Sequence, residues 1–96
     1  MYVVITYDVS TESAEGRRRL RHVAQHCLNY GQRVQKSVFE CSVSEEQLFL
    51  LREALLDEIN SEEDSLRIYR IPEPHGQYIE HHGIGTIKDF EEPLIV

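Results

Sequence analysis

Asp8 is the first residue of this chain whose type and position suggest chemistry. It closes the run Tyr2 to Tyr7, apolar or aromatic apart from Thr6, and hydroxyls come after it at Ser10 and Thr11. A carboxylate at the tip of a core strand can offer oxygens to a hard cation. It can equally be a turn acid or a helix cap, since Asp is common in both settings. Position alone leaves the two open. Four arginines come next, Arg17, Arg18, Arg19 and Arg21. Guanidinium forks match phosphate oxygens and can hold a strand without reading its bases. A solvated face balanced by Glu12 and Glu15 is the plainer account, but cations near a helix N-terminus oppose the macrodipole and call for a reason. At 100° per residue the four do not share one face. Arg17 falls closest to the Leu20/Ala24 side, which predicts its guanidinium at the rim near Asp8, with Arg18 in solvent and Arg17 and Arg21 suited to phosphate.

The remaining candidates are weaker. Ser10 either reaches a metal through water or caps the next helix. Tyr7 and Phe39 can stack on a base or sugar, though aromatic residues on strands more often fill cores and interfaces. His22 and His26 stand at i, i+4, a ligand spacing, but Val23, Ala24 and Gln25 between them lack the glutamate of a zinc-protease helix. His81 and His82 are adjacent and point opposite ways in an extended segment. Cys27 and Cys41 form neither a CxxC pair nor a zinc cluster and read as small core hydrophobes.

Elements must position these groups. Tyr2 to Asp8 reads as a strand, too short for a helix and apolar on both alternating faces. Ser10 to Ser13 supply capping hydroxyls, and Leu20, Val23, Ala24, Cys27 and Leu28 recur at helical spacing. A helix therefore runs from about residue 13 to about residue 29, with Gly31 where a left-handed cap is expected. Arg33 to Val43 reads as a second strand, again apolar on both faces. Ser44 and Gln47 make a capping-box pattern. Leu48, Leu51, Leu55 and Ile59, flanked by Phe49 and Leu56, trace a second helix to near Asn60. Ser65 to Ile71 is a third strand, closed by Pro72 and Pro74. Gly76, Gly83 and Gly85 punctuate the C-terminal stretch, and the closing PLIV reads as an edge strand. This order suits an α+β fold of the ferredoxin-like βαββαβ type, an antiparallel sheet with both helices on one face. Its other face would be bare and apolar, which predicts self-association through it, with residues 75–96 as a C-terminal segment crossing to the partner.

Size and charge bound the rest. Ninety-six residues make one domain, 1–96, and Tyr2 onward offers no membrane span of about 18 apolar residues and no leader, so a cytoplasmic protein is expected. The net charge of −7 argues against non-specific electrostatic binding of nucleic acid. Its distribution changes that. Residues 1–43 hold six Lys/Arg against four Asp/Glu, residues 44–64 one against eight, and residues 65–96 three against five. The acidity sits mostly on the second helix, and the N-terminal half can present a basic surface.

The strand ending in YDVS, the arginine-rich helix after it, the segment GQRVQKSVFEC and the short apolar C-terminal strand together resemble the small CRISPR-associated protein of the spacer-acquisition pair. The likeness covers almost the whole chain, and GRRRLRHVAQHC with the closing PLIV looks like the subtype I-C branch. The resemblance implies a prokaryotic ferredoxin-like homodimer with Asp8 of each chain near the two-fold axis. It implies a metal-dependent endonuclease acting on single-stranded RNA or double-stranded DNA, and also a bridge to a partner CRISPR integrase. It places Asp8 as the Mg²⁺-binding and catalytic carboxylate, with Mn²⁺ as another candidate metal. Tyr7, Ser10 and Phe39 are supporting positions, and Arg33 joins Arg17 and Arg21 as a nucleic-acid contact.

One carboxylate holds Mg²⁺ poorly, because the ion is anchored by one or two carboxylates and keeps several waters. Two copies of Asp8 at an axis would repel each other and favour a cation between them, which could then polarise a phosphate and activate a water. Three functions are compatible with these residues: this phosphodiesterase, a non-catalytic adaptor bridging two integrase copies, and, without the resemblance, a regulatory domain binding a small metabolite at a dimer seam.

Overall fold

The computed structural model describes residues 1–85. In chain order it contains β1 (Tyr2–Asp8), α1 (Ala14–Leu28), β2 (Gly31–Gln35), β3 (Val38–Ser42), α2 (Glu45–Glu58) and β4 (Ser65–Ile71), and then a 3₁₀ turn at His75–Gln77. The sheet order is β2-β3-β1-β4, with each neighbouring pair antiparallel. Strand β2 therefore lies beyond β3 from β1, the split arrangement expected of a βαββαβ chain.

Strand register determines which side chains share a face, because residues directly opposite across a ladder point the same way. Ile5 pairs with Phe39 and Ile68, and Tyr7 pairs with Leu66. With Val3 and Cys41, these make the side that packs against Val23 and Cys27 of α1 and Leu48, Leu51 and Leu55 of α2. Both helices thus cover one face. The opposite face carries Val4, Thr6 and Asp8 of β1, Val38 and Glu40 of β3, and Arg67, Tyr69 and Ile71 of β4. Tyr2 is buried on that face because His75 stacks on its ring, 3.8 Å between centroids, and its hydroxyl donates to Glu40 at 2.8 Å.

Several expectations need correction. Arg33 to Val43 is two strands, not one: the chain turns at Lys36 and Ser37, where the Tyr7 N–H donates to the Ser37 carbonyl at 3.1 Å. No Gly, Pro, Asn or Asp marks that turn, and both arms alternate alike, so the pattern reads as continuous. Gly31 is not a left-handed cap. Asn29 ends α1 in right-handed geometry, and Gly31 opens β2 at a point where a Cβ would run into the Glu40 carbonyl and Cys41. The cap of α1 is Ser13, whose hydroxyl accepts the Gly16 N–H at 3.0 Å, so Ser10 does not cap the helix. The Ser44–Gln47 capping box is present. On α2, Phe49 and Leu56 flank the core as expected but stay about half exposed, as does Leu50. The PLIV strand lies outside the described residues.

Cys27 and Cys41 are free, with no exposed surface, and burial pushes their thiols up to about 12 and about 11 respectively. They fill the core and stay protonated at neutral pH.

Candidate functional site

Asp8 ends β1 on the uncovered face of the sheet. The alternation that buries Val3, Ile5 and Tyr7 against the helices turns Asp8 the other way, and its side chain is exposed. Among the described residues its carboxylate has no hydrogen bond and no ion pair. Ser65 stands opposite it across the β1–β4 ladder. Arg67, opposite Thr6, is its diagonal neighbour on the same face, with the guanidinium carbon 5.4 Å from the centre of the Tyr69 ring. Such diagonal pairs are about 7–8 Å apart between backbones, within reach of an arginine. Arg67 was not among the sequence candidates. The signal was available in principle, since Asp8 and Arg67 share a face once β1 and β4 are paired, but that pairing is not written in either strand.

The segment after Asp8 is held by a buried carboxylate that sequence reasoning counted only as part of the acidic surplus. Asp64, in the turn between α2 and β4, accepts the Ser10 N–H at 3.1 Å and the Asn60 N–H at 2.9 Å. It also takes both prongs of the Arg19 guanidinium, Nε at 2.8 Å and Nη2 at 3.3 Å. Burial raises the Asp64 pKa, but the hydrogen bonds from Arg19, Asn60 and Ser10 outweigh it and hold the carboxyl below its ordinary value. One acid thus ties the β1–α1 loop, the first helix and the α2–β4 turn together. Arg19 lies 45 residues from Asp64, which is why no local pattern announced the pair.

The other expected residues separate into three places. Arg17 and Arg21 project from α1 into solvent, and Arg17 donates to the Thr11 carbonyl at 3.1 Å, within the loop that succeeds Asp8. The inward arginine is Arg19, not Arg17, because the buried stripe of α1 runs through Gly16, Val23 and Cys27. Ser10 sits in the loop as a backbone donor. Tyr7, Phe39 and Arg33 lie on the helix-covered side, opposite Asp8. Phe39 has no exposed surface, its ring centroid is 6.2 Å from that of Tyr7, and Arg33 covers it at 5.1 Å. Stacking Phe39 on a base would require unpacking the core, so its place is structural.

No group of three or more His, Cys, Asp or Glu among the described residues could hold a metal ion. His22 and His26 both approach Glu58 of α2, at 2.6 and 3.5 Å, and bridge the helices. An exposed, unpaired carboxylate does suit a hard divalent cation, which accepts one or two carboxylates and fills its shell with water and substrate oxygens. Asp8 fits half of such a site. No helix among the described residues is long and apolar enough to cross a membrane.

A sequence model of the family described as CRISPR associated protein Cas2 matches residues 1–77. A relative in Moorella thermoacetica, named CRISPR-associated endoribonuclease Cas2 1, is 55% identical over 96 residues, covering 100% of both chains. One in Halalkalibacterium halodurans, named CRISPR-associated endonuclease Cas2, is 53% identical over 95 residues, covering 99% of each. Among solved structures, the fold is similar to that of Streptococcus pyogenes Cas2 at pH 6.5, with a TM-score of 0.77, 46% identity, and coverage of 86% of this chain and 100% of the other.

Proposed function

Because the chain belongs to the CRISPR associated protein Cas2 family, we propose that it is a divalent-metal-dependent endonuclease. It would hydrolyse phosphodiester bonds in double-stranded DNA or single-stranded RNA as a cytoplasmic homodimer during CRISPR spacer acquisition. The observation that carries this reading is the exposed Asp8 at the end of β1, unpaired among the described residues and on the face that the helices leave bare. That face bears Val4, Val38 and Ile71, apolar side chains that a second copy would cover. Residues 75–96 would contribute to the same contact. Two copies of Asp8 then complete what one lacks. Bound Mg²⁺ or Mn²⁺ would supply Lewis acidity toward the phosphate and a water of lowered pKa.

The chain's own residues do the positioning. Asp8 would hold the ion, Arg67 on the same face would balance phosphate charge, and Arg17 and Arg21, exposed on α1, would hold the backbone of the nucleic acid without reading it. Asp64 keeps the loop after Asp8 in place. Both DNA and RNA are candidate substrates: one relative is named an endoribonuclease, and the name endonuclease of another leaves the kind of nucleic acid open. The test is hydrolysis of duplex DNA and single-stranded RNA with Mg²⁺ by wild type and Asp8→Asn, purified identically. We expect a loss of at least about a hundredfold with the oligomer intact, since even outer-shell partners of metal ligands cost about 10–100-fold when mutated. Equal cleavage by the variant would assign the activity to a contaminant or another site.

A second reading is favoured by Asp8 standing alone, since no group of three or more His, Cys, Asp or Glu among the described residues could hold a metal ion. In it the dimer is an adaptor that supports duplex DNA and bridges the partner integrase, with hydrolysis incidental. Spacer acquisition that persists in cells carrying Asp8→Asn would favour it.

A further inference from the structure

On the opposite side of the sheet from Asp8, a cleft of about 500 Å³ opens between α1 and the β2–β3 hairpin. Leu20 and Val34 give it apolar surface, and Arg33 and Lys36 give it two cations. No carboxylate among the described residues lines it, although the chain as a whole carries −7. The register slips between Arg33 and Gln35, and such a bulge re-aims side chains at a strand edge. Tyr7 also lines the cleft. It is 5% exposed, and its hydroxyl is buried with no acceptor for its proton among the described residues, Arg33 being a donor beside it.

A buried hydroxyl whose proton has no acceptor calls for one. Arg33 interacts with the hydroxyl oxygen as a donor and cannot take that proton, because guanidinium only donates. Burial raises the Tyr7 pKa more than Arg33 lowers it, so the hydroxyl keeps its proton at neutral pH. Tyr7, Arg33 and Lys36 together offer three donors, and the missing component is an anionic oxygen. The cleft is larger than one phosphate requires and lies within the 300–1,000 Å³ range of small-molecule sites, which are mostly apolar with a few polar groups.

We propose that this cleft binds a nucleotide bearing a terminal phosphomonoester, with phosphate oxygens on Tyr7, Arg33 and Lys36 and the base or sugar against Leu20 and Val34. Arg33 is an exposed, long side chain and can swing with the phosphate to uncover the Tyr7 hydroxyl. A free nucleoside monophosphate and the phosphorylated end of a strand present the same chemistry. The choice of a nucleotide rests on the proposed action on nucleic acid, but binding here does not use Asp8.

The test is an NMR titration of ¹⁵N-labelled full chain with adenosine 5′-monophosphate, adenosine and inorganic phosphate. A second arm uses a single-stranded decamer with a 5′-phosphate or a 5′-hydroxyl. The monophosphate should shift the amides of Leu20 and of residues 34–37, and adenosine should not. Tyr7→Phe, which keeps the ring and removes only the hydroxyl, should weaken binding about tenfold, the scale of one hydrogen bond to a charged group. Lys36→Ala, at an exposed turn, should do the same without touching the core. Tighter binding of the phosphorylated decamer than of the monophosphate supports the site and makes the strand end its ligand; the reverse supports it as a free-nucleotide site. The proposal is overturned by unshifted cleft amides, by Tyr7→Phe binding like wild type, or by inorganic phosphate binding as tightly as the nucleotide. Asp8→Asn separates the two functions: cleavage that survives this substitution sinks the nuclease reading alone, and loss of cleft binding in Tyr7→Phe leaves that reading standing.

Discussion

Asp8 and Asp64 are two acids with opposite roles, and environment assigns them. Asp8 is exposed and unpaired among the described residues, free to take a cation or a substrate contact. Asp64 is fully occupied by two backbone N–H groups and a bidentate arginine. Its carboxyl is held below the ordinary 3.8, so the unfolded chain binds that proton more tightly than the folded one. The resulting stabilisation is complete above the unfolded value and is lost as pH falls through the folded one. Asp64→Asn, which leaves Arg19 without its carboxylate, should lower the Tm at pH 7 by roughly 10 °C, from about 2 kcal/mol for a hydrogen bond to a charged group. Thermal melts between pH 2 and 7 check this: the gap between variant and wild type should narrow below the ordinary carboxylate value. A gap independent of pH would mean that the carboxylate's charge is not what holds the loop. The sequence showed Asp8 as a candidate because it breaks an apolar run. It gave no hint of Asp64, since an acid in an acidic stretch carries no distinguishing mark.

At the scale of elements, capping and periodicity were legible and the hairpin was not. Ser44 with Gln47 announces α2, and the 3.6-residue spacing of Leu48, Leu51 and Leu55 places its buried face, because both signals depend only on neighbours along the chain. The β2–β3 turn depends instead on Tyr7 N–H meeting Ser37 across the sheet. The same pair of strands gives Gly31 its role, that of close packing rather than left-handed backbone. Gly31→Ala should therefore cost about 2 kcal/mol, the scale of forcing a methyl group into packed structure, seen as a lower urea midpoint. An unchanged midpoint would show that the Glu40 carbonyl and Cys41 yield at no cost.

At the scale of the whole molecule, the charge is divided. The outer surface of α2 carries Glu45, Glu46 and Glu53, all exposed, while Arg17 and Arg21 project from α1. Nucleic acid drawn by the arginines should avoid α2. Charge reversal at Glu45, Glu46 and Glu53 is expected to leave nucleic-acid binding intact or somewhat stronger, whereas Arg17→Ala with Arg21→Ala should weaken it and reduce its salt dependence by about two ion equivalents. Binding isotherms across a salt series distinguish these outcomes, and a clear loss on reversing the α2 charges would place the nucleic acid on that helix. Membership of the Cas2 family removes the ground for a regulatory domain with a metabolite site at a dimer seam, a reading separate from the cleft beside Tyr7.

The chain's own pattern was enough to specify an α+β domain, two amphipathic helices, the strands at Tyr2–Asp8 and Ser65–Ile71, and an acid at the tip of the first. Each of these is recorded locally, as the period at which apolar side chains recur or as a hydroxyl placed to meet a free N–H. The tertiary structure alone decided which groups share a face. It set Asp8 on one face with Arg67 and apart from Tyr7, joined Arg19 to Asp64, and left the Tyr7 hydroxyl proton without an acceptor among the described residues, in a basic cleft. These are relations between residues far apart in the chain, made by strand register and helix packing. No single stretch of sequence contains both halves of any of them.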